Sequence, residues 1–258
     1  MVRSHNEDSI SFDPELGLVV LADGMGGYNA GEVASGIAVS VLASEVRHQL
    51  ENASPEDLNE SGEELGVRLL RDNVKKANLS IFHAAQSQPQ YAGMGTTIVT
   101  ALFYDDRVAV AHVGDSRLYR LRDEELECIT RDHSLLQEQI DGGLISKADA
   151  RLSKNKNLVT RAVGIDSDVE PELHMHDVQV GDVYVLCSDG LNDMVEDDDI
   201  GATLQMLKNN LPLAAVQLIE LANDNGGRDN VSVILVKVKG RFAVPHGWWA
   251  KLRSWFGN

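Results

Sequence analysis

Acidic residues recur at the ends of apolar runs in this chain, a placement that could serve oxygen-only metal chemistry. Asp23-Gly24 follows Leu18–Ala22, and Asp115 sits in Gly114-Asp115-Ser116 after Val108–Val113. Asp189-Gly190 follows Val183–Cys187, Asp229 precedes Val231–Val238, and Glu7-Asp8 lies near the amino terminus. Taken singly, each is ordinary turn chemistry, since Asp-Gly is a common exit from a strand. Spacing alone does not bring these ends together. If they converge, they offer what Mg²⁺ and Mn²⁺ require: oxygen ligands in octahedral geometry, not Cys or His.

The elements that must position these residues come in blocks. After the strand Leu18–Ala22, helical spacing of Val33, Ile37, Val41, Val46 and Leu50 predicts a helix from about Ala30 to Leu50. Asn52 to Gly62 reads as a loop, and a second helix runs from about Glu63 to Gln88. Strands follow at Thr97–Tyr104, Arg107–Val113, Arg117–Leu121 and Leu126–Thr130. Their links are too short for parallel crossovers, so an antiparallel meander is expected. Residues 134–168 read as irregular, with short helical pieces. The strand Val183–Cys187, helices near Glu196–Asn209 and Pro212–Asp224, and a last strand at Val231–Val238 complete the reading. Blocks of helices and strands, not strict alternation, favour α+β.

The 258 residues, 43% of them apolar, can fill a sizeable core. With 23 basic and 40 acidic residues the formal charge is −17, which repels nucleic acid and anionic lipid. No apolar run approaches the roughly 20 residues that span a bilayer, and the start lacks a signal-peptide core. Cys128 and Cys187 both lie in strand-like runs, so a reducing cytoplasm is expected rather than a disulfide framework.

Six short motifs, in order, carry a more specific signal. They are Arg3-Ser4-His5-Asn6-Glu7-Asp8, Leu21-Ala22-Asp23-Gly24-Met25-Gly26-Gly27 and Gly93-Met94-Gly95-Thr96-Thr97. His112-Val113-Gly114-Asp115-Ser116-Arg117, Cys187-Ser188-Asp189-Gly190-Leu191 and Gly227-Arg228-Asp229-Asn230 follow. This series resembles the PP2C (PPM) family of metal-dependent serine/threonine protein phosphatases, and Asp-Gly-Met-Gly-Gly looks like its bacterial branch. The resemblance implies two antiparallel β-sheets forming a sandwich flanked by pairs of α-helices, within a domain of residues 1–240. It also implies a flap at about 134–168 and a centre holding two Mn²⁺ or Mg²⁺ ions, with a third in bacterial relatives. By the same resemblance Asp23 would bridge two ions, with Gly24 lending its carbonyl. Asp189 and Asp229 would complete one shell, and Glu7 and Asp8 would serve the other. Asp115 would help Asp189 hold the third ion, and Arg3 would clamp the substrate phosphate. The substrates implied are phosphorylated proteins, hydrolysed by a monomer opposite a cognate Ser/Thr kinase.

The chemistry suits these residue types. Two cations roughly 3.5–4 Å apart offset the charge of a phosphate ester and activate a water for in-line attack. A guanidinium binds phosphate bidentately, as Lys cannot. The chain departs from the family pattern at Met25, where some members carry a His assigned as general acid. Protonation of the leaving group then falls to a water, which is favoured, or to His5 or His133. Only Met1-Val2 precede Arg3, where members usually have a strand. A catalytically inactive binding module and a sigma-regulatory phosphatase are the competing readings. Retention of Asp23, Asp189 and Asp229 argues against the first, and the lack of room for a sensor domain against the second.

Other features carry less. Cys187 lies outside any Cys-x5-Arg loop, so a cysteine-nucleophile phosphatase is not expected. His174 and His176 could share a strand face as Zn²⁺ ligands do, but the sequence offers no third ligand nearby. Arg151, Lys154, Lys156 and Arg161 in the flap suit either a solvated face or a phosphoprotein contact. The family pattern does not explain residues 241–258, which hold all three tryptophans. Trp248, Leu252 and Trp255 fall on one helical face. That face could pack on the enzyme itself, dock a protein partner or, with Lys251 and Arg253, touch a membrane surface.

Overall fold

A computed structural model describes residues 5–27, 29–146, 149 and 158–244. Its first two strands, β1 (Asp8–Asp13) and β2 (Leu18–Met25), form a hairpin and are followed by helices α1 (Ala30–Leu50) and α2 (Leu65–Ser87). The short strand β3 (Gly95–Thr96) leads into β4 (Ile98–Tyr104), β5 (Arg107–Val113), β6 (Arg117–Arg122) and β7 (Glu125–Cys128). Helix α3 (Leu135–Asp141) precedes β8 (Glu172–Asp177) and β9 (Val183–Cys187). Helices α4 (Asp189–Asn192), α5 (Asp197–Leu207) and α6 (Leu211–Asp224) and strand β10 (Val233–Lys237) complete the order.

Every named pairing is antiparallel. One sheet runs β1-β2-β4-β5-β8, with β3 beside β2, and the other runs β10-β9-β6-β7. On β2, Leu18, Val20 and Ala22 pack under α1 and α2, while Val19 and Leu21 face the layer between the sheets. A strand buried on both faces reads as a continuous apolar run, which is why β2 was legible without alternation. A third apolar layer, containing Val183, Val185, Ile200, Leu204 and Leu218, seats α5 and α6 on the second sheet. The expected helix-flanked sandwich is the one observed.

Several local expectations shift. Asp23-Gly24 is not a turn: β2 continues to Met25, with Asp23 opposite Asp8 and Gly24 opposite Thr96. Helix α2 starts later than expected because Glu64 is extended and accepts from the Tyr104 hydroxyl and Arg107 Nη1, each at 2.6 Å. Asp189-Gly190 opens a single helical turn instead of a plain turn. The strand at 126–130 ends at Cys128, because Thr130 turns its hydroxyl to accept the Leu118 N–H. The sequence reading did not place β1, and it met β8 only as a strand face that His174 and His176 could share; each is an edge strand of its sheet. Within residues 134–168, α3 is capped by the Ser134 hydroxyl. The segment's two ends are tied by Thr160 N–H to His133 O at 2.8 Å. Arg151, Lys154 and Lys156 lie outside the described residues.

Candidate metal centre

Antiparallel pairing places Asp8 of β1 directly across from Asp23 of β2. The loop before β10 reaches the same place: Glu7 N–H donates to Asn230 Oδ1 at 2.9 Å, and Asn230 Nδ2 donates to His5 O at 3.0 Å. Ser188, just before α4, donates its hydroxyl to Asp8 Oδ2 at 2.9 Å and accepts from Ser232 N–H at 3.0 Å. The chain therefore ties its amino-terminal segment, the end of β9 and the start of β10 into one knot, with Glu7, Asp8, Asp23, Asp189 and Asp229 around it. Asp115 follows the β5 end and is buried nearby. Arg3 lies outside the described residues.

The electrostatics of this knot are those of negative charge held without enough compensation. Burial, followed by the charges of Asp189, Asp8, Asp115 and Asp229, pushes the Asp23 carboxyl well above its ordinary range. Burial raises Asp189 to about 8, with Asp115, Asp193 and Asp229 adding to it. Asp115 is raised to about 7, again by burial first and then by Asp132 and Asp193. Asp8 is raised by burial, partly offset by hydrogen bonds from Ser232 and Ser188. Asp8 Oδ1 and Asp189 Oδ1 are buried with no hydrogen-bond donor among the described residues. Orphaned, mutually repelling carboxylate oxygens of this kind are costly unless a cation joins them. The donor set is all oxygen, as hard divalent ions demand. The residues present fit such ions.

Close backbone packing shapes the knot. A Cβ on Gly24 would sit 2.1 Å from Gly31 O of α1 and 2.6 Å from Glu7 O. One on Gly190 would sit 2.0 Å from Asn230 O. Asp23 is fixed from behind by its own N–H to Thr97 Oγ1 at 3.1 Å, and its carbonyl accepts Thr97 N–H at 2.8 Å. Sequence reasoning did not single out Asn230, Ser188, Thr97 or Asp193 as site residues. Asp193 was findable: it stands one turn after Asp189, and its N–H donates to Asp189 O at 2.8 Å. The others stand inside the quoted motifs, but they act through hydrogen bonds between segments far apart in the chain, a role that no local pattern announces.

A second constellation holds His112, His133 and Glu172, whose ligand atoms lie within 4.8 Å of one another. His174 and His176 do share one face of β8, and their rings extend the stack from His133 and His112. A carboxylate neighbour, Glu172, is also present, which the sequence reading did not foresee. The hydrogen bonds give this group another use. His133 Nδ1 accepts Gly114 N–H at 3.1 Å, and His133 N–H donates to Gly114 O at 2.9 Å. Nδ1 therefore carries no proton, and Nε2 lies between Glu172 Oε2 at 3.3 Å and the Arg161 guanidinium of the 134–168 segment at 3.2 Å. His133 is committed to holding the Gly114-Asp115 turn. Burial, helped by the neighbouring His133, pushes the His112 imidazole down to about 4.

The model of the protein phosphatase 2C family matches residues 2–217. The chain belongs to that family. It is 40% identical over 238 residues to the serine/threonine protein phosphatase PstP of Mycobacterium tuberculosis, covering 92% of this chain. The chain spans only 43% of the length of that relative. It is 36% identical over 239 residues to the serine/threonine phosphatase stp of Listeria monocytogenes, covering 92% of this chain and 91% of the relative. A crystal structure of the PstP catalytic domain in complex with two manganese ions superimposes with a TM-score of 0.80 at 38% identity. That match covers 93% of this chain and 94% of the other. Fold and family thus agree with the expectation raised by the six motifs.

Proposed function

We propose that this chain hydrolyses phosphoserine and phosphothreonine in proteins, using two Mn²⁺ or Mg²⁺ ions at the knot of acidic residues. The observation that carries this is the convergence of Asp8, Asp23, Asp189 and Asp229, with Asp8 Oδ1 and Asp189 Oδ1 buried and without a donor among the described residues. The names of the relatives and the manganese of the PstP structure support it. Asp23 would lie between the two ions with the Gly24 carbonyl beside it. Asp189 and Asp229 would hold one ion, and Glu7 and Asp8 the other. The ions supply Lewis acidity, offsetting phosphate charge and acidifying water. The chain's own residues do the rest. Thr97 and Asn230 fix the segments that carry the ligands, and Arg3 orients the phosphate. His133 has its ring tied to Gly114 and Glu172, so we assign leaving-group protonation to a water. We take residues 1–240 as the phosphatase domain, with residues 134–168 as its flap, acting as a monomer opposite a Ser/Thr kinase. No helix among the described residues is long and apolar enough to cross a membrane.

Hydrolysis of p-nitrophenyl phosphate should require added Mn²⁺ or Mg²⁺, since oxygen-only sites hold these ions modestly. Turnover that survives exhaustive chelation would rule out the assignment. Asp115 and Asp189 are proposed to share a weaker third ion. Asp115→Ala should therefore cut turnover while calorimetric titration still finds the two tighter sites. Loss of the tightest site instead would move Asp115 into the core shell.

A further inference from the structure

One side of the sandwich is left open. Ile10 and Phe12 pair with Leu21 and Val19, so they share the face that looks between the sheets. The second sheet ends at β10 and does not extend over them. Ile10 is 47% exposed and Phe12 66%. The result is a groove of about 690 Å³ between two edge strands, lined by Ile10, Phe12, Leu16, Leu235, Val236 and Phe242. Open strand edges beside exposed apolar side chains are a liability that proteins normally cover.

The chain itself arrives at this groove. Beyond β10, Phe242 packs onto the inter-sheet core and lines the groove wall. Phe242 N–H donates to Asp106 Oδ1 at 2.7 Å, Arg241 Nε to Asp106 Oδ2 at 2.9 Å, and Val244 N–H to Asp105 Oδ1 at 2.9 Å. These bonds deliver the tail to the β4–β5 turn. That turn is next to the β1–β2 turn, since Phe103 N–H donates to Gly17 O at 2.9 Å. Residues 245–258 lie outside the described residues and hold Trp248, Trp249 and Trp255.

We propose that residues 246–256 fill this groove in the same molecule, as an amphipathic segment laying Trp248, Leu252 and Trp255 against Ile10, Phe12 and Val236. The dimensions agree: the five residues of β10 span about 16 Å, and eleven residues of helix about 16 Å. The tether supplies millimolar effective concentration, so a modest apolar contact suffices to keep the segment home against a free partner. The groove lies toward the Asp13 end of β1, whereas Asp8 at the other end enters the metal centre. The segment therefore closes the sandwich without touching the reaction.

Every tryptophan of the chain is in this segment, so intrinsic tryptophan emission reports on it alone. The intact protein should emit to the blue of a synthetic peptide of residues 242–258 and resist acrylamide quenching, at all protein concentrations. Phe12→Glu should shift emission toward that of the peptide while p-nitrophenyl phosphate turnover stays within about twofold of the parent. Leu252→Glu, which cannot unfold the sandwich from the tail, should do the same. Solvent-exposed emission in the parent protein would overturn the proposal. So would a blue shift that persists in both variants, one that grows with protein concentration, or one that appears only with anionic vesicles.

Discussion

Asp189→Asn is expected to lower kcat by at least about 10³-fold and, in metal-free protein at pH 8, to raise Tm. Both effects come from one property. Asp189 is buried among like charges, and its carboxyl is pushed up to about 8. A carboxyl raised in the folded state binds its proton more tightly there than in the unfolded chain. The stability linked to that proton is full below the ordinary value of 3.8 and is lost as pH climbs through about 8. Metal-free protein should therefore be more stable at pH 5 than at pH 8. The neutral amide of Asn cannot ionise and escapes that loss. Each kcal/mol recovered is worth roughly 2–4 °C in a domain of this size. The parent protein should instead gain stability from Mn²⁺, about 2.7 kcal/mol at a hundredfold excess over Kd. The variant should lose most of that gain. Thermal melts at pH 5 and pH 8, with Mn²⁺ and with chelator, check all of this. Near-normal turnover at saturating Mn²⁺, or a lower Tm for the metal-free variant at pH 8, would show that Asp189 is not a strained ligand. Asp23→Asn should behave alike, because its carboxyl is also raised by burial first and then by like charges, Asp189 and Asp8 ahead of the shared neighbours Asp115 and Asp229.

The parts of this architecture that the sequence revealed are those where one segment states its own environment. β2 could be found because both of its faces are buried, and α1 because Val33, Ile37 and Val41 flank, at helical spacing, a buried stripe of Ala34, Ala38, Leu42 and Val46. The edge strands carried a quieter signal that was passed over. β1 reads Asp-Ser-Ile-Ser-Phe-Asp, a polar and apolar alternation of strand period, but only two of its residues are apolar and both are exposed, so it stands out far less than β2. β8 alternates His and Glu with apolar residues, and its histidines stack on a neighbouring strand instead of filling a core. The acidic residues themselves were visible as strand-end carboxylates, and the ordered motifs said they belonged together. What ties them was not visible. Asn230 spans 223 positions to reach Glu7, and Ser188 spans 180 to reach Asp8. A hydrogen bond across that separation leaves no local periodicity, and the glycines that permit the close approach look like any other turn glycines.

Gly24 gives the sharpest test of that packing. Its neighbours are backbone on both sides: Gly31 O from α1 and Glu7 O from the segment leading into β1. Its N–H donates to that Glu7 carbonyl at 3.1 Å, so the two chains are drawn together at this point. Ser35 on α1 donates its hydroxyl to the same carbonyl at 2.6 Å. A methyl group at Gly24 cannot be absorbed by rotating a side chain, because neither neighbour is one. Either α1 lifts from β2 or the Glu7 segment swings away, and both movements pull Glu7 and Asp8 from Asp23. Overpacking of a well-packed site typically costs about 1–3 kcal/mol and occasionally more, and rigid backbone on two sides places Gly24→Ala at the upper end. We expect a loss of roughly 3 kcal/mol in stability and at least about a hundredfold in kcat/KM, with weakened Mn²⁺ binding by calorimetry. Gly27→Ala is the control: a Cβ there meets nothing within 4 Å, so stability should hold within about 1 kcal/mol. Equal behaviour of the two variants would mean that the approach of α1 to the Glu7 segment does not govern the metal centre.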